Sequence, residues 1–326
     1  MPVDVLADVL AAAAVHGTVA ATVHAAEPWG LTLDRVPGAA FHAITDGTAW
    51  LQVTGRPGTR LMPGDVVLLP TGLAHDLASG PDARCEPFDH LAAEQALTTG
   101  QALHIGPGPT QTRIVCASYH QDPALALPVL ALLPDILHVR STQATAALQA
   151  TVRLLAAELS QPQPGSATVL NHIIDILFVQ LIRAWLATAP LAAGKSWLRG
   201  LADPITGRAI AALHADPGRS WTIGKLAAYV GVSRATLARR FTSHVGETPA
   251  SYLTRWRMDL AARRLRDTTD PINVIAASIG YTSEYAFSRA FSRARHTPPG
   301  RYRTQAASQR LAWQANCEEP YCLPGS

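Results

Sequence analysis

The strongest constraint on this chain is a pattern that occurs twice in its last third. In WTIGKLAAYVGVSRATLARRF, which begins at Trp221, Ile223, Leu226, Ala227 and Val230 form one helical face. Gly231-Val232 permits a sharp turn, and Ser233 is placed to cap a second helix. On that second helix Leu237 and Phe241, at i and i+4, point inward. Arg239 lies about 200° round from Leu237 and points outward, with Ala235 and Ala238 on the same outer face. The pattern returns in PINVIAASIGYTSEYAFSRAFSRAR. Here Ile272, Ile275 and Ala276 pack, Gly280 turns and Ser283 caps. Phe287 and Phe291 repeat Leu237 and Phe241, and Arg289 repeats Arg239. One helix that holds a second free to enter a major groove is helix–turn–helix logic, and two copies make an internal repeat.

Between the copies, TPASYLTRWRMDLAARRLRD predicts a helix of roughly 18 residues, about 27 Å long. That length suits two recognition helices in successive major grooves roughly 34 Å apart. Arg255, Arg257, Arg263, Arg264 and Arg266 decorate this helix, where a solvated face is the plain expectation. The charge distribution agrees with a polyanionic partner. Residues 201–303 hold sixteen basic and seven acidic residues, whereas the first 200 hold ten basic and fifteen acidic. Arginine outnumbers lysine twenty-five to two. That bias suits forked contacts to phosphate and guanine, although abundant Ala beside it also fits a GC-rich coding sequence.

The rest of the chain reads differently. Residues 3–15 predict a helix. Residues 25–120 are β-rich: AWLQVTG, DVVLLP and TRIVCASY alternate with Gly, Pro and Asp turns, the spacing of a sandwich or barrel. Pro63-Gly64-Asp65 predicts a tight turn into a strand at Val66–Leu69. From 123 to 189 the period becomes helical, and QPQPGS at 161–166 divides an αα-hairpin. The second helix of that hairpin is apolar over more than half its circumference, so its excess face needs a partner, either its own β-domain or another subunit. If it dimerises, charges at Leu177 and Leu181 are expected to give monomers. Hydrophobic content of 48% and charged content of 16% argue against a disordered chain. No run approaches the ~18 apolar residues of a membrane span, with Arg183 interrupting the most apolar helix. MPVDVLADVLAAAA carries acids and no Lys or Arg, unlike a signal peptide. Four cysteines are too few for a disulfide scaffold in a chain of 326 residues. The expectation is a cytoplasmic protein.

The order and spacing of WTIGKLAAYVGVSRATLARRF, YLTRWRMDLAARRL, VIAASIGYTSEYAFSRAFSRA and PPGRYR resemble the AraC/XylS family of bacterial transcription regulators over about 100 residues. The resemblance implies a seven-helix domain with two helix–turn–helix units on a long connecting helix. Carried over residue by residue, it implies base-reading positions at Ala235, Ala238 and Arg239, and at Glu284, Tyr285, Ser288 and Arg289. Arg239 and Arg289 suit guanine, each worth ~1–3 kcal/mol of discrimination. Arg234 and Arg240 flank the outer face as phosphate contacts, with Ser233 at the cap. Ala235 and Ala238 offer only methyl contact to thymine. Glu284 suits cytosine N4 or a role at the helix N-terminus. The family usually carries an aromatic and then Gly before its last proline motif. This chain has Arg295-His296 there, which predicts looser packing of the last turn and its C-cap.

In the N-terminal part, GDVVLLPTGLAH reads Gly64-x5-Pro70-x-Gly72-x2-His75, the second motif of a cupin β-barrel. The first motif is incomplete: Phe41-His42-Ala43-Ile44 supplies one histidine and no carboxylate at suitable spacing. With FHAITDGTAWLQV and CASYHQDPALALPVLALLPDILHVR, this region resembles the cupin-like sensor domain of AraC-type regulators. His42, Trp50, His75 and Tyr119 are the candidate effector-binding residues. His42, His75, Cys116 and His120 are the candidate ligands for Zn or another divalent metal, a chemistry that imidazole and thiolate suit. The plain alternative is hydrogen-bonded core histidines and a buried free thiol. Cys317 and Cys322 in the tail raise a thiol switch.

The expected fold class is α+β: a cupin-like β-barrel with a helical dimerisation segment, then an all-α domain with two helix–turn–helix motifs. The expected boundaries are a sensor domain at 1–122, a helical linker and dimerisation segment at 123–195, a DNA-binding domain at 197–303 and a flexible tail at 304–326. The expected function is a non-enzymatic, sequence-specific regulator of transcription, an activator by preference. It would bind double-stranded DNA as a homodimer, respond to a small-molecule or metal effector, and contact RNA polymerase if it activates, with no membrane partner. The alternatives are a metal-dependent cupin enzyme with a DNA-binding appendage, against which the missing carboxylate speaks, and a structural DNA-binding protein.

Overall fold

The computed structural model describes residues 4–13, 15–36, 38–121, 129–161, 163–188 and 194–317. The chain divides into two compact units. The first, residues 15–121 with 133–189, holds two sheets. The larger contains β1 (Val15–Ala25), β3 (Ala39–Asp46), β6 (Val66–Leu69), β9 (Leu103–Ile105), β10 (Thr112–Gln121) and β11 (Leu137–Val139) in the order β11-β6-β3-β10-β1-β9. The smaller contains β2 (Gly30–Leu33), β4 (Ala49–Val53), β5 (Thr59–Leu61), β7 (His75–Ala78) and β8 (Glu86–Pro87) in the order β5-β4-β7-β2-β8. Three helices complete the unit: α2 (His90–Thr98), α3 (Ala146–Ser160) and α4 (Ser166–Thr188).

Period-two alternation decides what faces the interior. Ala21, Val23, Ala40, Ile44, Val67, Leu69, Ile114 and Cys116 from the larger sheet pack with Leu31, Leu33, Leu51, Val53 and Leu77 from the smaller. These side chains fill the space between the sheets, as in other small barrels. A bulge in β1 between Val19 and Ala21 shifts the pairing with β10 by one residue, so residues on either side of it change face. The predicted turn at Pro63-Gly64-Asp65 is present: Gly64 has φ +84°, and the buried Asp65 carboxylate accepts from the Met62 and Ser141 N–H groups and from His138.

The α3–α4 hairpin covers the other face of the larger sheet. The Tyr119 hydroxyl donates to the Ile174 carbonyl at 2.7 Å, and its ring lies against Phe41 and Phe178. Ser166–Ala187 is long and apolar enough to cross a membrane by length and composition, but half of it is buried. Leu177 and Leu181 are fully buried, so they face the protein's own core rather than another subunit. The exposed apolar side chains of the hairpin are instead Leu154, Val169 and Ile176.

The second unit holds residues 1–14, 122–132 and 190–326. Its helices are α1 (Val5–Ala13), α5 (Trp197–Ala202), α6 (Pro204–Ala215), α7 (Ile223–Val230), α8 (Arg234–Val245), α9 (Pro249–Asp267), α10 (Ile272–Ser278), α11 (Glu284–Arg295) and α12 (Pro299–Cys317). The N-terminal helix therefore groups with the C-terminal helices and not with the sheets, packing on α6 and α9. The tail also departs from expectation, because α12 continues past Arg303 to Cys317. Cys322 lies outside the described residues.

Gly17 marks the closest approach of β1 to α4. A Cβ there would meet the Ile174 side chain at 2.2 Å and the Tyr119 ring at 2.7 Å, and the Gly17 N–H donates to Asp175 at 2.8 Å. Gly17→Ala is expected to destabilise this unit by about 1–3 kcal/mol through overpacking. Urea unfolding checks this, and an unchanged midpoint would contradict the packing.

Candidate nucleic-acid interface and barrel core

The two repeated patterns fold as two helix–turn–helix units. In the first, Thr222 caps α7, and Gly231 closes it in the left-handed conformation at φ +77° that a non-glycine residue resists. Ser233 caps α8 by accepting from the Thr236 N–H at 3.1 Å. Leu226, Ala227 and Val230 are buried, as are Leu237 and Phe241, whereas Ile223, expected on the same packing face, is 38% exposed. In the second, Gly280 turns at φ +88°, Ser283 accepts from the Ala286 N–H, and Phe287 and Phe291 are fully buried. The proline at the start of α9 occupies a position where no N–H is needed, and Thr248 caps that helix.

The outer faces of α8 and α11 are open. Arg234, Ala235, Arg239 and Arg240 are exposed, as are Ser233, Glu284, Tyr285 and Arg289, while Ala238 and Ser288 are half-buried. Arg239 makes no hydrogen bond or ion pair among the described residues. Tyr285 is 73% exposed at the start of α11, with the Arg289 guanidinium 5.8 Å above its ring. The Tyr285 ring and the Arg289 guanidinium thus stand together on the open face of α11. Arg240 differs from expectation. It reaches Asp203, the N-cap of α6, at 3.2 Å. Burial raises the Asp203 carboxyl's affinity for a proton, but the Thr206 N–H and hydroxyl, His244 and Arg240 together hold its pKa below the usual range.

The five arginines of α9 are not a free solvated face. Arg255 donates two bonds to Glu247, at 3.1 and 2.7 Å, and lies 3.6 Å from Asp259. Arg257 donates to the carbonyls of Pro217 and Arg219. Arg263 and Arg266 pair with Asp267, and Arg264 with Asp270. The departure at Arg295-His296 also resolves otherwise than predicted. Arg295 pairs with Asp259, each almost fully buried, and so ties the end of α11 to α9. His296 takes the left-handed capping conformation itself, at φ +56°, which costs a histidine less than a β-branched residue. Burial pushes the Asp259 carboxyl up to about 6, against the pull of Arg295 and Arg255. Arg255 and Asp259 are an i, i+4 pair on α9, but Glu247 lies in the loop after α8 and Arg295 on α11, so the whole Glu247–Arg255–Asp259–Arg295 network could not be read from spacing.

In the sheet unit, two of the four candidate effector residues come together. His42 on β3 and His75 on β7 meet across the interior with their Nε2 atoms 2.7 Å apart. Cys116, paired with His42 across the strands, places its Sγ 3.2 Å from His42 Nδ1. His75 Nδ1 donates to the Leu73 carbonyl at 2.7 Å. One proton arrangement satisfies the whole chain: Cys116 S–H to His42 Nδ1, His42 Nε2–H to His75 Nε2, and His75 Nδ1–H to Leu73. All three groups are then neutral. Burial supports that state, holding His42 well below its ordinary pKa with help from His75 and lowering His75 despite the opposing Leu73 bond and Asp76. It also pushes the Cys116 thiol up to about 12.

Trp50 and Tyr119 do not join them. Trp50 sits between Ala49 and Leu51, which face the interior, so its own side chain faces out. Tyr119 is odd-numbered on a strand whose even residues Ile114 and Cys116 face in, so it points at α4. His120 bonds Ser118 at 2.9 Å and has no contact with the His42 pair.

The proposed metal does not fit this cluster. Two imidazole nitrogens on one metal each lie ~2.0–2.1 Å from it, too far apart in a tetrahedral site for the 2.7 Å contact seen here. His42 is also engaged through both ring nitrogens. Among the described residues, no group of three or more His, Cys, Asp or Glu side chains is arranged to hold a metal ion.

The folded state keeps His42 neutral, whereas the unfolded chain protonates it near pH 6.5. Its contribution to stability is therefore present above pH 6.5 and lost as pH falls, by up to ~1.4 kcal/mol per pH unit for each such histidine. Urea midpoints measured from pH 7.5 down to 5 are expected to fall, and His42→Gln is expected to flatten that slope. Equal slopes would contradict the neutral chain.

Residues 4–187 match the family described as cupin, and residues 226–305 match the family described as helix-turn-helix domain. The chain is 35% identical over 302 residues to a putative AraC-like transcription regulator of Streptomyces lividans, covering 92% of this chain and 98% of that one. It is 30% identical to the HTH-type transcriptional regulator AlkR of Acinetobacter baylyi, covering 81% and 87%. A crystal structure of an AraC-type transcriptional regulator from Chromobacterium violaceum is 29% identical, with a TM-score of 0.31, covering 32% of this chain and 93% of that one. The paired helix–turn–helix units and the cupin match over half the chain lead to one conclusion: this protein belongs to the family of AraC-like transcription regulators.

Proposed function

We propose that the second unit reads an operator through α8 and α11, with Arg239 and Arg289 on guanines and Tyr285, Ser288 and Glu284 on neighbouring base edges. The observation that carries this reading is the exposure of both outer faces while the structural arginines around them are paired internally. Arg234 and the capping Ser233 contact phosphate. Arg240 does so only by giving up Asp203. Ala235 and Ala238 add methyl contacts, so the first unit reads fewer bases than the second. Selection of genomic fragments by the purified protein is expected to yield two half-sites about one helical turn apart. Arg239→Ala and Arg289→Ala should each degrade a different half-site, at a cost of ~1–3 kcal/mol. Loss at the same positions in both variants would contradict the assignment.

The sheet unit acts as the sensor, without catalysis, and the regulator works in the cytoplasm where its operator is. RNA polymerase is its partner if it activates. The protein is a homodimer through the outer seam of α3 and α4. In this antiparallel hairpin the Gln180–Thr151 and Ser166–Glu158 bonds bracket Leu154 and Ile176, which are 53% and 49% exposed. Leu154→Glu with Ile176→Glu is expected to give monomers in sedimentation. An unchanged dimer would place the interface elsewhere.

A further inference from the structure

The barrel interior is filled by its own side chains, so a ligand that controls this regulator needs another seat. We propose that the cleft between the outer face of the larger sheet and the α3–α4 hairpin binds a small amphipathic anion, an apolar body with one carboxylate-type head, and that this is the effector site. The proposal rests on the sensor reading above.

The cleft has a volume of about 710 Å³, within the range of sites for small organic molecules. Strand register builds its floor. Asp46, Arg113, His24 and His104 are successive lateral partners across β3, β10, β1 and β9, so they form one polar row. His24 and His104 meet edge to face at 5.2 Å. Behind that row, Thr22 pairs with Val115, and the bulge in β1 turns Val19 onto the same face. Leu159 and Leu170 cover this part from the hairpin. The floor thus offers a polar edge and an apolar interior, which an amphipathic molecule complements.

Three observations select an anionic head. Arg113 and Asp46 are only 3.5 Å apart and both more than half exposed, a pair worth little and easily exchanged for another carboxylate. Glu158, the other acid at the cleft, is held by the Ser166 hydroxyl at 2.5 Å. Burial, His104 and Arg113 hold His24 neutral, so its ring can donate one N–H without bringing a second fixed charge. A body seated here touches the sheet and the hairpin together, and so bears on the seam that carries Leu154 and Ile176.

Calorimetric titration of the full-length protein with 4-phenylbutyrate and with decanoate tests the site. Acetate supplies the head without the body, and 4-phenylbutyramide the body without the charge. Saturable binding of either anion is expected, at least tenfold tighter than either control. Arg113→Gln should weaken it about tenfold, and Ala167→Trp, which fills the cleft from an exposed helix position, should abolish it. Both positions are exposed, and unchanged melting curves establish that the variants fold. Bound anion should also change the affinity for the selected operator. No saturable binding, binding indifferent to both variants, or binding without effect on the operator would overturn the proposal. A low-molecular-weight cell extract separates the two readings. If it changes operator affinity in wild type and Ala167→Trp alike, effector control stands and the cleft is not its seat. If it changes neither, the sensor reading fails as well.

Discussion

Asp259 is a carboxylate with almost no access to water, placed on the helix that joins the two helix–turn–helix units. An unpaired charge there would cost several kcal/mol, so its surroundings are dictated by it. Arg255 approaches from one turn earlier on the same helix and is itself held by Glu247, just beyond the end of α8. Arg295 approaches from the last turn of α11. The positions of both recognition helices are thus referred to one buried acid. The apolar contacts of Phe241 with Tyr252, and of Phe291 with Tyr302, then fix each helix about that reference. Breaking one member of such a network is far worse than replacing all of it, because the remaining charges stay buried.

The sheet unit is organised by a different constraint, the pairing of β10 between β1 and β3. Each residue of β10 belongs to the interior or to the hairpin side according to its parity. Cys116 therefore joins the His42–His75 chain while its neighbours Val115 and Ala117 cannot. The hydrogen-bonded chain does what a single polar group in an apolar core cannot do: every member satisfies the next, and the chain ends on a backbone carbonyl. That is a reason for a cupin-like interior to retain histidines without the full set of metal ligands.

Much of the DNA-binding unit was legible because its determinants are local. Within each unit the helix cap (Ser233 or Ser283), the turn (Gly231 or Gly280) and the apolar pair at i and i+4 lie within a dozen residues of each other in the sequence. The role of Arg295 was not legible, since nothing near it in sequence announces Asp259, thirty-six residues away. Arg255 and Arg264 read as solvated although their partners Glu247, Asp259 and Asp270 lie within eight residues, because spacing alone does not say which charges on a helix face close on one another. In the sheet unit, motif spacing singles out His42 and His75, whereas residue type alone groups Trp50 and Tyr119 with them. Parity along a strand excludes both, and it becomes decisive only once register is known. The polar row of Asp46, Arg113, His24 and His104 joins four strands that are not consecutive in the chain, which no reading of spacing can assemble. The hairpin is legible from its period, but a helix apolar on two sides does not say which side meets the sheet, so Leu177 and Leu181, expected at a subunit interface, are buried in the protein's own core.

The internal pairing of arginines has a thermodynamic consequence for the complex with DNA. Affinity for DNA rises with the number of condensed cations that the protein displaces, and log K falls with log salt in proportion to that number. A guanidinium already bound to a carboxylate or a backbone carbonyl displaces few. Arg255, Arg257, Arg264, Arg266 and Arg295 are all in that condition. The sixteen basic residues of the domain therefore overstate its grip on arbitrary sequence. On the reading proposed above, a regulator built this way would shed non-specific DNA readily and leave a larger share of its binding energy to the few side chains that meet base edges.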